Sequence, residues 1–123
     1  MCSKLRYIGT VGVSAFTNFG SGDTAAFYMC SKLEYVYLRG LAASITFESS
    51  PLLHKKSLLY IIKNANPKKV ITITLHHDAY ARLIADQEIL DALTAKNTEL
   101  TGTGGKISLV CAEHSDEVTP TAE

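Results

Sequence analysis

Two short segments and three scattered cysteines carry side chains that could do chemistry. His76-His77-Asp78 offers two imidazoles and a carboxylate, donors for a divalent cation or parts of an acid–base pair. The residues before them, Val70-Ile71-Thr72-Ile73-Thr74-Leu75, are rich in β-branched types and read as a strand. Neighbouring residues on a strand point to opposite faces, so the two histidines should diverge. Asp78 stands where an N-cap would open a helix through Ala79–Ile84. No metal site is expected here. Gly102-Thr103-Gly104-Gly105-Lys106 is glycine-rich, like a phosphate-binding loop, but it lacks that motif's spacing, and Ile107 follows the lysine. A strand comes next, so no helix N-terminus stands behind the loop to hold an anion, and the segment is read as a turn. Cys2, Cys30 and Cys111 are odd in number and form no CxxC pair, which argues against a disulfide scaffold or a zinc knot. With no nucleophile–base pair, paired carboxylates or cofactor loop, the chain is read as a non-enzyme with no cofactor.

The elements that must position these residues belong to a single domain. The 123 residues are 46% hydrophobic and 20% charged, with a formal net charge of zero, ordinary values for one globular unit. Apolar stretches such as Leu58-Leu59-Tyr60-Ile61-Ile62 are far too short for a membrane span, which needs about 20 residues. A balanced charge argues against a general nucleic-acid binder. No basic segment followed by an apolar one opens the chain, so a cytoplasmic or virion-associated location is expected. The charge is unevenly spread: residues 1–77 carry a net +6 and residues 78–123 a net −6.

An internal repeat organises the first part of the sequence. Met1-Cys2-Ser3-Lys4-Leu5-Arg6-Tyr7-Ile8 recurs 28 residues later as Met29-Cys30-Ser31-Lys32-Leu33-Glu34-Tyr35-Val36. Cys2 and Cys30 fall at equivalent places and are read as small buried apolar residues. Alternating segments follow each copy, Val11–Phe16 and Ser44–Glu48, and read as strands. Ser57–Ala65 has helical spacing and stops at Pro67; a strand over 70–75, helical segments over 79–84 and 89–93, and a strand over 106–111 come after. One such unit cannot bury its apolar side alone, so successive units should stack and share a core. Leu5/Ile8, Leu33/Val36/Leu38, Val70/Ile73/Leu75 and Ile107/Leu109/Cys111 are expected to point inward from one parallel sheet.

The Phe27-Tyr28-Met29-Cys30-Ser31-Lys32-Leu33 rhythm resembles the repeat of BspA-like leucine-rich-repeat proteins of gut bacteria and their phages. Ser44–Leu53, Ser57–Ala65 and Ile71–His76 are similar to the end of such arrays, and the resemblance extends over about residues 1–111. It implies binding of proteins or glycans at surfaces, and for a phage protein virion attachment or interference with a host protein. The chain departs from that pattern in having only about two leucine-rich turns and in opening in mid-repeat, at Met1 aligned with Met29. Either the chain is a late-starting or truncated copy of such an array or, the favoured expectation, its uncapped first repeat edge is covered by another chain.

The expected architecture is α/β: a short leucine-rich-repeat-like solenoid over residues 1–112, parallel strands on one side and helices on the other, with a disordered acidic tail over 113–123. The outward row of the sheet should carry Tyr7, Tyr35, Tyr37, Arg39, Thr72, Thr74 and His76 as a partner-binding surface, since tyrosine and arginine combine apolar area with polar ends. Lys55, Lys56, Lys63, Lys68 and Lys69 form a basic flank around one helix. The expected function is recognition of a protein partner. The alternative is a structural protein that assembles into homo-oligomers through the uncapped edge, the +6 half of one copy meeting the −6 half of the next.

Overall fold

The structure, a computed structural model, describes residues 6–13 and 30–112. In chain order the elements are β1 (Tyr7–Gly12), β2 (Tyr35–Arg39), β3 (Ile45–Phe47), α1 (Lys55–Lys63), β4 (Val70–Leu75), α2 (His77–Ile84), α3 (Gln87–Glu99) and β5 (Lys106–Cys111). The domain is α/β, with parallel strands in two small sheets. β1 pairs with β2, and β3, β4 and β5 lie side by side in that order. Tyr7 faces Tyr35 and Ile45 faces Ile73. The first two pairs of β1 and β2 follow the 28-residue spacing of the sequence repeat, and a bulge between Ile8 and Thr10 then shifts the register by one residue.

One parallel sheet was expected, and the strands are instead divided between two. The place beside β2, on the side away from β1, is taken by α1. A helix cannot offer its backbone to a strand edge, because its own amides and carbonyls are already paired. A side chain does so instead. The Val36 amide donates to Ser57 Oγ at 2.9 Å, and that hydroxyl donates to the Glu34 carbonyl at 2.9 Å. Loop contacts bracket the helix: the His54 amide donates to Glu34 O at 2.8 Å, and the Gly40 amide to Asn64 O at 2.7 Å. Ser57 is fully buried, so these bonds form away from water. The edge of β5 is met in the same way by α3, where Asn97 accepts from the Ile107 amide at 2.8 Å and donates to its carbonyl at 3.0 Å.

Alternation along the strands builds the core. Ile45, Ile73 and Leu109 form one buried row across the second sheet, and Phe47, Leu75 and Cys111 form the next. Val36 and Leu38 from the first sheet, Leu58, Ile61 and Ile62 from α1, and Leu83 and Ile89 from α2 and α3 join the same core. Each such side chain contributes roughly 1.5–3 kcal/mol through burial. Ile71 fills the inward position expected for Val70, which is 62% exposed, because the period of two runs through 71, 73 and 75. Cys30 is buried but disulfide-bonded, a correction to its reading as a plain apolar residue; its partner sulfur lies outside the described residues. Leu5, Cys2, positions 14–16 of the expected first strand and the acidic tail at 113–123 also lie outside them.

Chain reversals follow local chemistry. The turn before β5 places Gly102 and Gly104 at φ of +89° and +86°, and a Cβ on Gly105 would run into the Pro67 carbonyl, so this turn admits glycine for want of space as well as for conformation. His54, His76 and Asp86 cap α1, α2 and α3, each side chain accepting from the amide two residues on. Asp78, expected as a cap, lies instead in the first turn of α2. Arg82 of α2 donates to the carbonyls of Pro51 and Leu53 at 3.0 and 2.9 Å, tying the loop before α1 to the following helix. Lys96 of α3 is 6% exposed and donates to Ala65 O, just past the end of α1, at 3.1 Å. A cation is favoured there by the negative end of the helix.

Lys55 joins α1 to the start of α3, reaching Asp86 at 3.2 Å and Glu88 at 2.9 Å. The bond from Lys55 holds the Asp86 carboxyl below its ordinary range. A carboxylate whose pKa is depressed by folding stabilises the fold above its unfolded value, and that contribution fades as pH falls through the folded value. We therefore expect urea-denaturation stability to fall as pH drops below the ordinary value of 3.8. Asp86→Asn, which keeps a capping side chain, should make that acid limb shallower; an unchanged slope would show that Lys55 does not hold Asp86.

Candidate functional site

The tyrosines of the sequence repeat come together on the first sheet, on the face opposite its buried residues. Tyr7 and Tyr35 are register partners with ring centroids 6.3 Å apart. Tyr37, two residues on and therefore on the same face, lies 6.0 Å from Tyr7 and 6.5 Å from Tyr35. Because α1 lies alongside β2, it adds two rings that were not foreseen. His54 stacks on Tyr35 at 5.0 Å, and Tyr60 meets Tyr37 edge-on at 5.3 Å. His54, Ser57, Tyr60 and Asn64 recur every three or four residues along the helix side that faces β2. That spacing was the available signal, but it acquires meaning only once α1 is known to stand beside the strand.

The five rings form a continuous array with offset and edge-on geometries of the kind aromatic groups prefer. Tyr7 is 61% exposed at one end, while Tyr35, Tyr37 and Tyr60 are half-buried. Partial burial, with neighbouring Tyr7 and Tyr35, raises the Tyr37 hydroxyl above its ordinary pKa. The Tyr37 hydroxyl therefore stays protonated at neutral pH. Arg39 is exposed at the end of β2, so apolar ring surface, hydroxyls and a cation share one face. The arrangement suits recognition through contact area and hydrogen bonds.

The rest of the expected row lies elsewhere. Thr72 and Thr74 are half-buried on β4, in the second sheet, beside Ser108 and Val110. His76 is past the strand, capping α2. The row thus splits into an aromatic patch on the first sheet and a small polar strip on the second. The basic flank divides as well: Lys55 is bound to Asp86 and Glu88 of the same chain, whereas Lys56, Lys63, Lys68 and Lys69 are exposed. Part of the charge asymmetry is therefore neutralised within the fold, a pairing that hydrophobic periodicity could not reveal because it spans two helices.

The segment of residues 76–78 differs most from expectation. β4 stops at Leu75, so His76 and His77 do not lie on a strand and do not diverge. Their rings stack with centroids 4.5 Å apart, and His77 Nε2 lies 3.1 Å from Asp78 Oδ1. No helix among the described residues is long and apolar enough to cross a membrane. Comparison with known proteins gives no match to a family model, a curated protein or a solved structure.

Proposed function

We propose that the chain is a non-enzymatic protein-recognition module, built as a short leucine-rich-repeat-like solenoid and reading its partner through the aromatic array. The observation that carries this reading is the array itself: Tyr7, Tyr35 and Tyr37 in mutual contact, extended by His54 on Tyr35 and Tyr60 on Tyr37, graded from exposed to half-buried. Rigid aromatic side chains lose little conformational freedom on binding and supply large contact areas, which is why they dominate interface energetics. The solenoid reading is supported by the register of Tyr7 with Tyr35, which follows the sequence repeat, and by the parallel pairing of the strands in both sheets. The resemblance to BspA-like proteins adds virion attachment or interference with a host protein as the setting.

A second reading, homo-oligomeric assembly through the first repeat edge, is favoured by one asymmetry. The edges of β2 and β5 are met by Ser57 and Asn97. Among the described residues the outer edges of β1 and β3 have no strand neighbour, and a strand edge without a partner is a template for pairing with another chain.

Two measurements separate these readings. Light scattering at low and high salt should give a monomer at both if the module serves a foreign partner. A dimer or larger species that persists in salt would favour edge pairing, and one dissolved by salt would favour the charge split. For recognition, Tyr35→Ala with Tyr37→Ala should reduce affinity for a purified partner by more than tenfold, while Lys68→Glu with Lys69→Glu leaves it within twofold, as read by calorimetry on variants with intact circular dichroism. Equal binding by wild type and the tyrosine variant would overturn the assignment of the array.

A further inference from the structure

We propose that His76, His77 and Asp78 form a binding site for one divalent transition-metal cation of the zinc class. The chain leaves β4 at Leu75 and turns at once into α2, with His76 as cap and His77 as the first helical residue. That turn brings the two imidazoles face to face, 4.5 Å apart at an interplanar angle of 25°. One donor atom from each of the three residues lies within 4.8 Å of the others.

Donor separation fits the chemistry. Two donors each about 2.1 Å from a metal stand roughly 3.0 Å apart at a right angle and about 3.4 Å apart in a tetrahedron. His77 Nε2 and Asp78 Oδ1 are 3.1 Å apart, already within that bite, so a cation between them replaces a proton and leaves the backbone in place. His76 must move closer, and both histidines are only half-buried, which leaves their rings room to turn. Two imidazoles with one carboxylate suit zinc, nickel or copper and not magnesium or calcium, which take oxygen donors. Three protein ligands leave a position for water or for a fourth ligand from another molecule.

Two opposing effects set the strength of the site. His76 Nδ1 accepts from the Asp78 amide at 3.0 Å. Neutral imidazole has one accepting nitrogen, so coordination through either nitrogen ends this bond: Nδ1 would be occupied directly, or would take the proton displaced from Nε2. The positive end of α2 also disfavours a cation, an effect that the Asp78 carboxylate offsets. Binding should therefore be moderate in strength and in competition with the cap of α2.

Calorimetric titration of the untagged chain with zinc chloride, in a buffer that does not chelate metals, tests this directly. The expected result is one zinc per chain, no magnesium binding, and at least a tenfold loss of zinc affinity in each of His77→Gln, Asp78→Asn and His76→Asn. The last substitution separates ligand from fold, since asparagine is a good N-cap: melting temperature should hold while zinc affinity falls. Proton NMR of the wild-type chain gives a readout independent of any variant, with zinc broadening or shifting the ring protons of His76 and His77 before those of His54. No binding up to millimolar zinc, affinity unchanged in all three variants, or unmoved His76 and His77 signals would each overturn the proposal.

Discussion

A parallel strand cannot end a sheet inside a protein unless something other than a strand takes up its outward amides and carbonyls. In this molecule that requirement is met in the middle of the β2 edge by one hydroxyl, with loop contacts from His54 and Asn64 on either side. Ser57 is fully buried, takes the amide of Val36 and gives its proton to the carbonyl of Glu34, which also accepts the His54 amide. A buried polar group left unpaired costs about 1–3 kcal/mol, so Ser57 satisfies the strand edge and its own hydroxyl together. The consequence for architecture is large. With α1 seated beside β2, the first sheet ends there, and β4 finds its neighbours in β3 and β5. Asn97 repeats the solution at β5, using both ends of its amide.

The same placement builds the aromatic face. A helix running along β2 presents residues spaced by three or four toward the strand, and those residues here are His54, Ser57, Tyr60 and Asn64. The serine makes the edge contact while His54 and Tyr60 extend the tyrosine row of the repeat. Architecture and candidate interface thus share a cause. In the second sheet Thr72 and Thr74 lie beside Ser108 and Val110 as a small strip.

Much of this was legible in the residues. β4 occupies the segment that β-branched composition marked, β5 the strand expected after the glycine turn, and the 28-residue repeat anticipated the pairing of Tyr7 with Tyr35. Periodicity reports which face of a strand is buried, but it does not report which strand lies next door. The division into two sheets was hidden for that reason, and with it the separation of Thr72 and Thr74 from the tyrosines. The histidine pair was misread because strand geometry was carried past the end of β4: on a strand His76 and His77 would point to opposite faces, whereas the turn into α2 brings them together. Lys55 and Lys96 look like solvated charges in the sequence, and become an inter-helix tie and a buried helix-end contact only when α1 meets α3.

The central claim is that a serine hydroxyl closes the edge of β2 as a strand would. Hydrogen exchange at the Val36 amide reads that bond alone. The account predicts that Val36 exchanges as slowly as the Ile73 amide in the middle of the second sheet, and that Ser57→Ala accelerates Val36 at least tenfold more than it accelerates Ile73. Rapid exchange at Val36 in the wild-type chain, or equal acceleration of both amides in the variant, would contradict it.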